Sequence, residues 1–140
     1  MVDHIITGMA ITIAGIYPDC TIYTEPVEQG LVEPAFYIHC INTDQSDLIA
    51  KRFRQSLPFE VVYFPLNGVS DINTTMPELL VNFTQITLQN GVKLRGHNLK
   101  AQTIDGEGHL FVTYDVVVSI SEPLPENMEE IKITGGLNGN

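Results

Sequence analysis

A chain of 140 residues, 44% hydrophobic and 17% charged, is one ordinary domain able to bury a core without metal or disulfide staples. Its formal charge of −10 argues against a general duplex-binding surface, because phosphate neutralisation rewards a broad basic face. Two cysteines, Cys20 and Cys40, make neither a disulfide framework nor a zinc site and are expected reduced, as small apolar core residues.

Val2, Ile5, Ile6, Met9, Ala10, Ile13 and Ile16 recur on the 3.6-residue period and predict an amphipathic helix that Pro18 ends. Gly8 and Gly15 each weaken it by roughly 1 kcal/mol relative to alanine, so packing on a sheet must hold it. The run opens with Asp3 instead of a basic region and is too short to span a bilayer. No membrane role is expected, and the protein is expected to be made and used in a cytoplasm.

The stretch from Ile22 to Ile38 predicts a hairpin, with strands near 20–24 and 35–41, Pro26 and Pro34 at strand ends and Gly30 in the turn. In that register Cys20 would lie opposite Cys40. A polar connection over 42–47 leads into a long strand over 50–64, whose alternation Phe53, Leu57, Phe59, Val61, Tyr63 is interrupted at Pro58. A proline there predicts a bulge or an edge position.

Helical spacing resumes at Ile72, Met76, Leu79, Leu80, Phe83 and Ile86. Pro77 would clash with a preceding carbonyl, so the regular helix is expected from near Thr75, with Asn90-Gly91 breaking it. Strands over 92–104 and 109–120 follow, joined by the hairpin signal Asp105-Gly106-Glu107-Gly108. On the last strand Leu110, Val112, Tyr114, Val116, Val118 and Ile120 share the core face, and Phe111, Thr113, Asp115, Val117 and Ser119 the partly wet one. Residues 1–122 therefore predict a single α+β domain, an antiparallel or mixed sheet in the order α-β-β-β-α-β-β packed by two helices. Residues 123–140 read as a flexible tail in which Ile131 to Thr134 could add to a sheet edge.

Chemistry is sparse. There is no Gly-Lys-Thr phosphate loop and no G-x-S-x-G elbow, and Gly106-Glu107-Gly108 lies in a hairpin with no helix behind it. His39 and Cys40 are neighbours in one strand and point to opposite faces, so they cannot pair as base and nucleophile. The enzyme reading that remains is a metal or ligand site built from His97, His109 and Asp115; against it, a surface histidine explains His97 equally well. The aromatic residues read as core and interface packing.

Charge is the more informative pattern. Residues 1–50 carry seven acids and no Lys or Arg, whereas Lys51, Arg52, Arg54, Lys93, Arg95 and Lys100 all fall in 51–100. Solvated surface explains this, and so does self-complementarity between copies.

The ordered combination of Tyr17-Pro18-Asp19, Ile22-Tyr23, Glu28-Gln29-Gly30, Glu33-Pro34-Ala35-Phe36-Tyr37-Ile38, Phe59-Glu60-Val61-Val62-Tyr63-Phe64-Pro65, Leu94-Arg95-Gly96 and Phe111-Val112-Thr113-Tyr114-Asp115 resembles the tail terminator (tail completion) proteins of long-tailed bacteriophages and prophages. The resemblance covers about residues 1–121. It implies a structural subunit, not an enzyme, with no catalytic residues and no cofactor. It further implies a homo-oligomeric ring of six copies on the head-proximal end of the tail tube, ending polymerisation and forming the head-joining surface. The implied partners are the tail tube protein and a head-completion or connector protein, with DNA only as cargo passing the lumen. The implied location is the virion tail, after assembly in the host bacterial cytoplasm. Pro77 and the glycine-rich end from Gly135 depart from the family pattern. On this reading Lys51, Arg52, Arg54, Lys93 and Arg95 are candidates to meet acids of a neighbouring subunit or of the tube, and Glu28 and Gln29 are candidates to face another subunit.

Overall fold

The computed structural model describes residues 1–120 and the backbone of 131–135. The expected domain boundary at 122 and the tail segments 123–130 and 136–140 lie outside the described residues.

The first helix, α1 (Val2–Ile16), forms where the periodicity predicts it. Ile5, Gly8, Met9 and Ile13 are its buried stripe. A Cβ on Gly8 would lie 3.2 Å from a Leu88 methyl and 3.7 Å from the Thr87 carbonyl, so the glycine that weakens the helix also lets it sit close to the sheet. Tyr17 closes it, its amide donating to the Ile13 carbonyl at 2.7 Å.

The expected hairpin is not formed. Strand β1 (Thr21–Tyr23) runs parallel to β2 (Ala35–Cys40), with Thr21 beside Ala35 and Tyr23 beside Tyr37. A ladder centred on Gly30 would have drawn on amides at 26 and 34, and both positions are proline. The connecting segment instead returns past the edge strand. The Thr21 amide donates to the Pro34 carbonyl at 3.0 Å, and the Val32 amide donates to the Tyr23 hydroxyl at 3.1 Å. Cys20 therefore precedes the level of Ala35 while Cys40 pairs with Phe59 at the far end of β2, roughly 20 Å away along the strand and far beyond disulfide reach.

The polar connection after β2 contains a strand, β3 (Asp44–Asp47), antiparallel to β4 (Arg52–Phe64) with Asp44 beside Ser56 and Asp47 beside Phe53. All four of its residues are exposed, so no apolar alternation announces it. β4 is the long spine of the sheet, with β2 on one side and β7 (Glu107–Ile120) on the other. Its register with β7 runs through Pro58, which pairs with Thr113 without a bulge. The Pro58 carbonyl accepts the Ile41 amide at 2.8 Å, and in an extended residue the amide position faces the same side as the carbonyl. The missing donor therefore faces the gap where β2 gives way to β3, a local edge inside a central strand.

The second helix, α2 (Val69–Asn82), starts well before Thr75. Its entry is held by the Asn67 amide donating to an Asp71 carboxylate oxygen at 2.9 Å and by the Asp71 amide donating to the Gly68 carbonyl. Pro77 lies inside it on the exposed side, and so does Asn73, whose carbonyl loses the Pro77 donor but can bond to water. The helix also ends earlier than expected. Ile86 belongs to β5 (Gln85–Thr87), which hairpins through Asn90-Gly91 onto β6 (Lys93–Ile104). Gly91 has φ +88° in that turn.

β6 and β7 form the predicted hairpin. Ile104 pairs with Glu107, and Asp105 and Gly106 both have positive φ, as a two-residue type I′ turn requires. β6 bulges between His97 and Lys100. Past the point where β6 leaves it, β7 takes up β8 (Ile131–Gly135) as an antiparallel neighbour, the edge addition the sequence allowed. Among the described residues the result is an α+β fold with one mixed sheet in the order β1-β2-β4-β7-β6-β5, β3 alongside β4 and β8 alongside β7.

Both helices contribute to one core. Ile5, Met9 and Ile13 from α1 and Ile72, Met76 and Leu79 from α2 join Phe36, Ile38, Leu57, Phe59, Val61, Leu110, Val112, Tyr114 and Val116 from the sheet. The other sheet face carries the alternate residues, among them His39, Arg54, Glu60, His109, Phe111 and Asp115.

Candidate subunit interface

Two regions of this core fix the shape of the domain's ends. Tyr17 stacks on Phe36 with ring centroids 5.8 Å apart, Phe36 on Tyr63 at 4.8 Å, and the Tyr17 hydroxyl donates to the Glu78 carboxylate, tying α1 to α2. Burial, followed by that bond and the Glu78 charge, pushes the Tyr17 phenol well up, so it stays a donor at any physiological pH. At the end of α2 the buried Tyr114 hydroxyl donates to the Phe83 carbonyl at 2.7 Å, and the Gly96 amide donates to the Thr84 carbonyl at 2.8 Å. A Cβ on Gly96 would fall 2.5 Å from the Phe83 oxygen and 2.7 Å from a Val112 methyl. The glycine of Leu94-Arg95-Gly96 is thus required by a close approach.

The open sheet face carries most of the polar side-chain bonding across strands. His39 Nε2 lies 2.7 Å from one Glu60 oxygen and His109 Nδ1 lies 2.8 Å from the other, so one carboxylate bridges β2, β4 and β7. Burial raises the Glu60 carboxyl, but the hydrogen bonds from His109 and His39 outweigh it and hold the group below its ordinary range. An ionised carboxylate only accepts, so these ring nitrogens are the donors. The Tyr37 and His39 rings stack at 4.9 Å, and Lys100 lies over Phe111 at 5.3 Å.

The set His97, His109 and Asp115 does not converge. His97 Nε2 pairs with Asp115 at 3.0 Å, whereas His109 is taken by Glu60. No group of three or more His, Cys, Asp or Glu among the described residues is arranged to hold a metal ion. Cys40 donates to the Asn42 carbonyl at 3.1 Å, and burial pushes both thiols up, away from the thiolate a nucleophile needs. The Glu60 bridge escaped sequence reasoning because His39 and His109 become neighbours of Glu60 only once the β2–β4–β7 register is known.

The candidate interface residues fall at distinct places. Lys51, Arg52 and Arg54 lie together on the β3–β4 arm, and Lys93 and Arg95 on the β5–β6 hairpin, opposite Thr87 and Gln85. All five are exposed, and among the described residues Arg52, Arg54, Lys93 and Arg95 are in no ion pair. Glu28 and Gln29 are exposed in the loop beside β1. Register decides how these groups are distributed. Gly96 pairs with Tyr114, which pairs with Leu57, so Lys93 and Arg95 lie toward the same end of β4 as Arg52. Glu33 precedes Ala35, which pairs with Phe64; Asp71 opens α2 just after it; Asp105 in the β6–β7 turn and Glu107 after it lie just beyond Gly108, which pairs with Tyr63. Most of the basic residues thus collect at the Arg52 end of the sheet, accompanied by Asp44 and Asp47, and a cluster of acids at the Phe64 end.

Residues 4–126 match the family model described as phage tail terminator protein. The chain belongs to the phage tail terminator family. A search of curated proteins found no match. The family match spans both helices and the sheet through β7, so the landmarks of the resemblance are those of this fold: Tyr17, Phe36 and Tyr63 in one aromatic stack, and Gly96 and Tyr114 at the end of α2. As a tail terminator the protein is a structural component of the phage tail. No helix among the described residues is long and apolar enough to cross a membrane.

Proposed function

We propose that this tail terminator assembles as a ring of six copies on the head-proximal end of the tail tube, stops tube polymerisation and presents the surface that joins the head. The observation that carries the reading, beyond family membership, is the end-to-end sorting of charge. Surfaces of opposite sign at opposite ends suit heterologous contacts, in which one patch meets a different patch on the next copy. The wet sheet face suits the same role, because the His39–Glu60–His109 bridge ties three of its strands into one braced surface. The tube protein and a head-completion or connector protein are the partners, and DNA passes as cargo. The acidic net charge favours passage over adhesion. Pull-down of purified tail tubes and of connector protein with the wild-type chain tests the partners. Binding to tube ends, seen by labelled protein in electron micrographs, is the expected result; labelling along the tube walls or none at all rejects it.

A further inference from the structure

We propose that the tip of the β3–β4 arm docks on the opposite end of a second copy of this chain, against Val32, Leu66 and Val69. The inference deepens the ring reading and rests on it for the outcome of repeated docking, a closed ring. The arm is an unusual expenditure of order. All four residues of β3 are exposed, so pairing it with β4 orders backbone without adding a side chain to the core of its own subunit. At its tip Ile49 is 87% exposed, and Ala50 and Lys51 hold φ of 63° and 56° in a left-handed turn without glycine. Behind the tip Arg52 and Arg54 project from β4, exposed and without an acid partner among the described residues.

The far end of the sheet is complementary. Beyond the Ala35 and Phe64 pair, the segment that follows β4 carries Leu66 at 62% and Val69 at 50% exposure, and the loop that returns past β1 into β2 carries Val32 at 59%. Glu28 and Glu33 belong to the same loop as Val32, and both are exposed. Along β4 the two ends are about 40 Å apart, so the arm cannot reach that end of its own molecule. One copy thus offers an apolar tip with Arg52 and Arg54 as well as Asp47 beside it, and another offers exposed apolar residues in segments that hold carboxylates and no Lys or Arg, so that the arginines can orient an apolar contact. Since the two surfaces differ, each bound copy still offers its other end, and the chain of contacts ends only when a ring closes.

Charge exchange tests this directly. Arg52→Glu with Arg54→Glu makes one variant and Glu28→Lys with Glu33→Lys a second, and self-association is followed by analytical ultracentrifugation at low salt. Each variant alone is expected to associate at least tenfold more weakly than wild type, and an equimolar mixture to recover association, because each arm then meets an end of opposite sign. Unchanged association of either variant, or a mixture no better than its components, overturns the proposal. Cross-linking covers the case of a variant that fails to fold: Ile49→Cys with Leu66→Cys, on a chain with Cys20 and Cys40 replaced by serine, should give covalent multimers with a short bis-maleimide. A chain that remains monomeric under the reagent at every concentration overturns the docking. Neither result touches the capping role, which tail length in the absence of the protein tests by itself.

Discussion

At the scale of single residues, Gly96 shows how little freedom the close approach of β6 to α2 leaves. With the Phe83 carbonyl 2.5 Å from where a Cβ would stand, Gly96→Ala should destabilise the fold by about 1–3 kcal/mol, read as a lowered urea midpoint. Tyr114→Phe removes the donor to that same carbonyl while keeping the ring, and should cost about 1–3 kcal/mol through an unsatisfied buried acceptor. Glu60 supplies a pH dependence whose sign follows from its environment. Its carboxyl is held below the ordinary value of 4.5, so its contribution is fully present above that value and is lost as pH falls through the depressed folded value. Urea unfolding of wild type and Glu60→Gln at a series of pH values should show the wild type losing its advantage on the acid side; parallel curves would remove Glu60 from the account. These residues could be singled out in the sequence as parts of ordered motifs. Their partners could not, since Phe83 meets Gly96 and Glu60 meets His109 only through pairing of distant strands.

At the scale of elements, α1 and the β6–β7 hairpin were legible because each carries an unambiguous local signal: a 3.6-residue apolar period in one, and Asp105-Gly106 between alternating strands in the other. The parallel β1–β2 pair was not, because a loop returning past an edge strand and a hairpin turn are both rich in proline and glycine. β3 was hidden for a different reason. Its strand character comes from backbone pairing with β4 alone, and no side chain of Asp44 to Asp47 is buried to mark it. The candidate interface residues were legible as a charge pattern, but their sorting to two ends of the sheet depends on register. Pro77 marks the remaining conflict between local preference and fold. Restoring the amide with Pro77→Ala lets residue 77 bond the Asn73 carbonyl, so α2 should gain stability, up to about 3 kcal/mol, and the melting temperature should rise. A lowered melting temperature would mean that the ring's packing outweighs the hydrogen bond.

At the scale of the whole molecule, the sheet is a spine that holds a basic and an acidic end apart, with both helices on one face and a braced polar surface on the other. Contacts between unlike ends are electrostatically steered, so association of this chain with itself or with tube ends should weaken as ionic strength rises, and indifference to salt would contradict the charge argument. The role proposed for the protein is to end tail growth. Tail length in electron micrographs of lysates, from phage with and without a functional copy of this chain, tests that role. Over-long tails of variable length, unjoined to heads, are expected when the protein is missing, and a single length when it is restored. Tails of normal length joined to heads in its absence would contradict it.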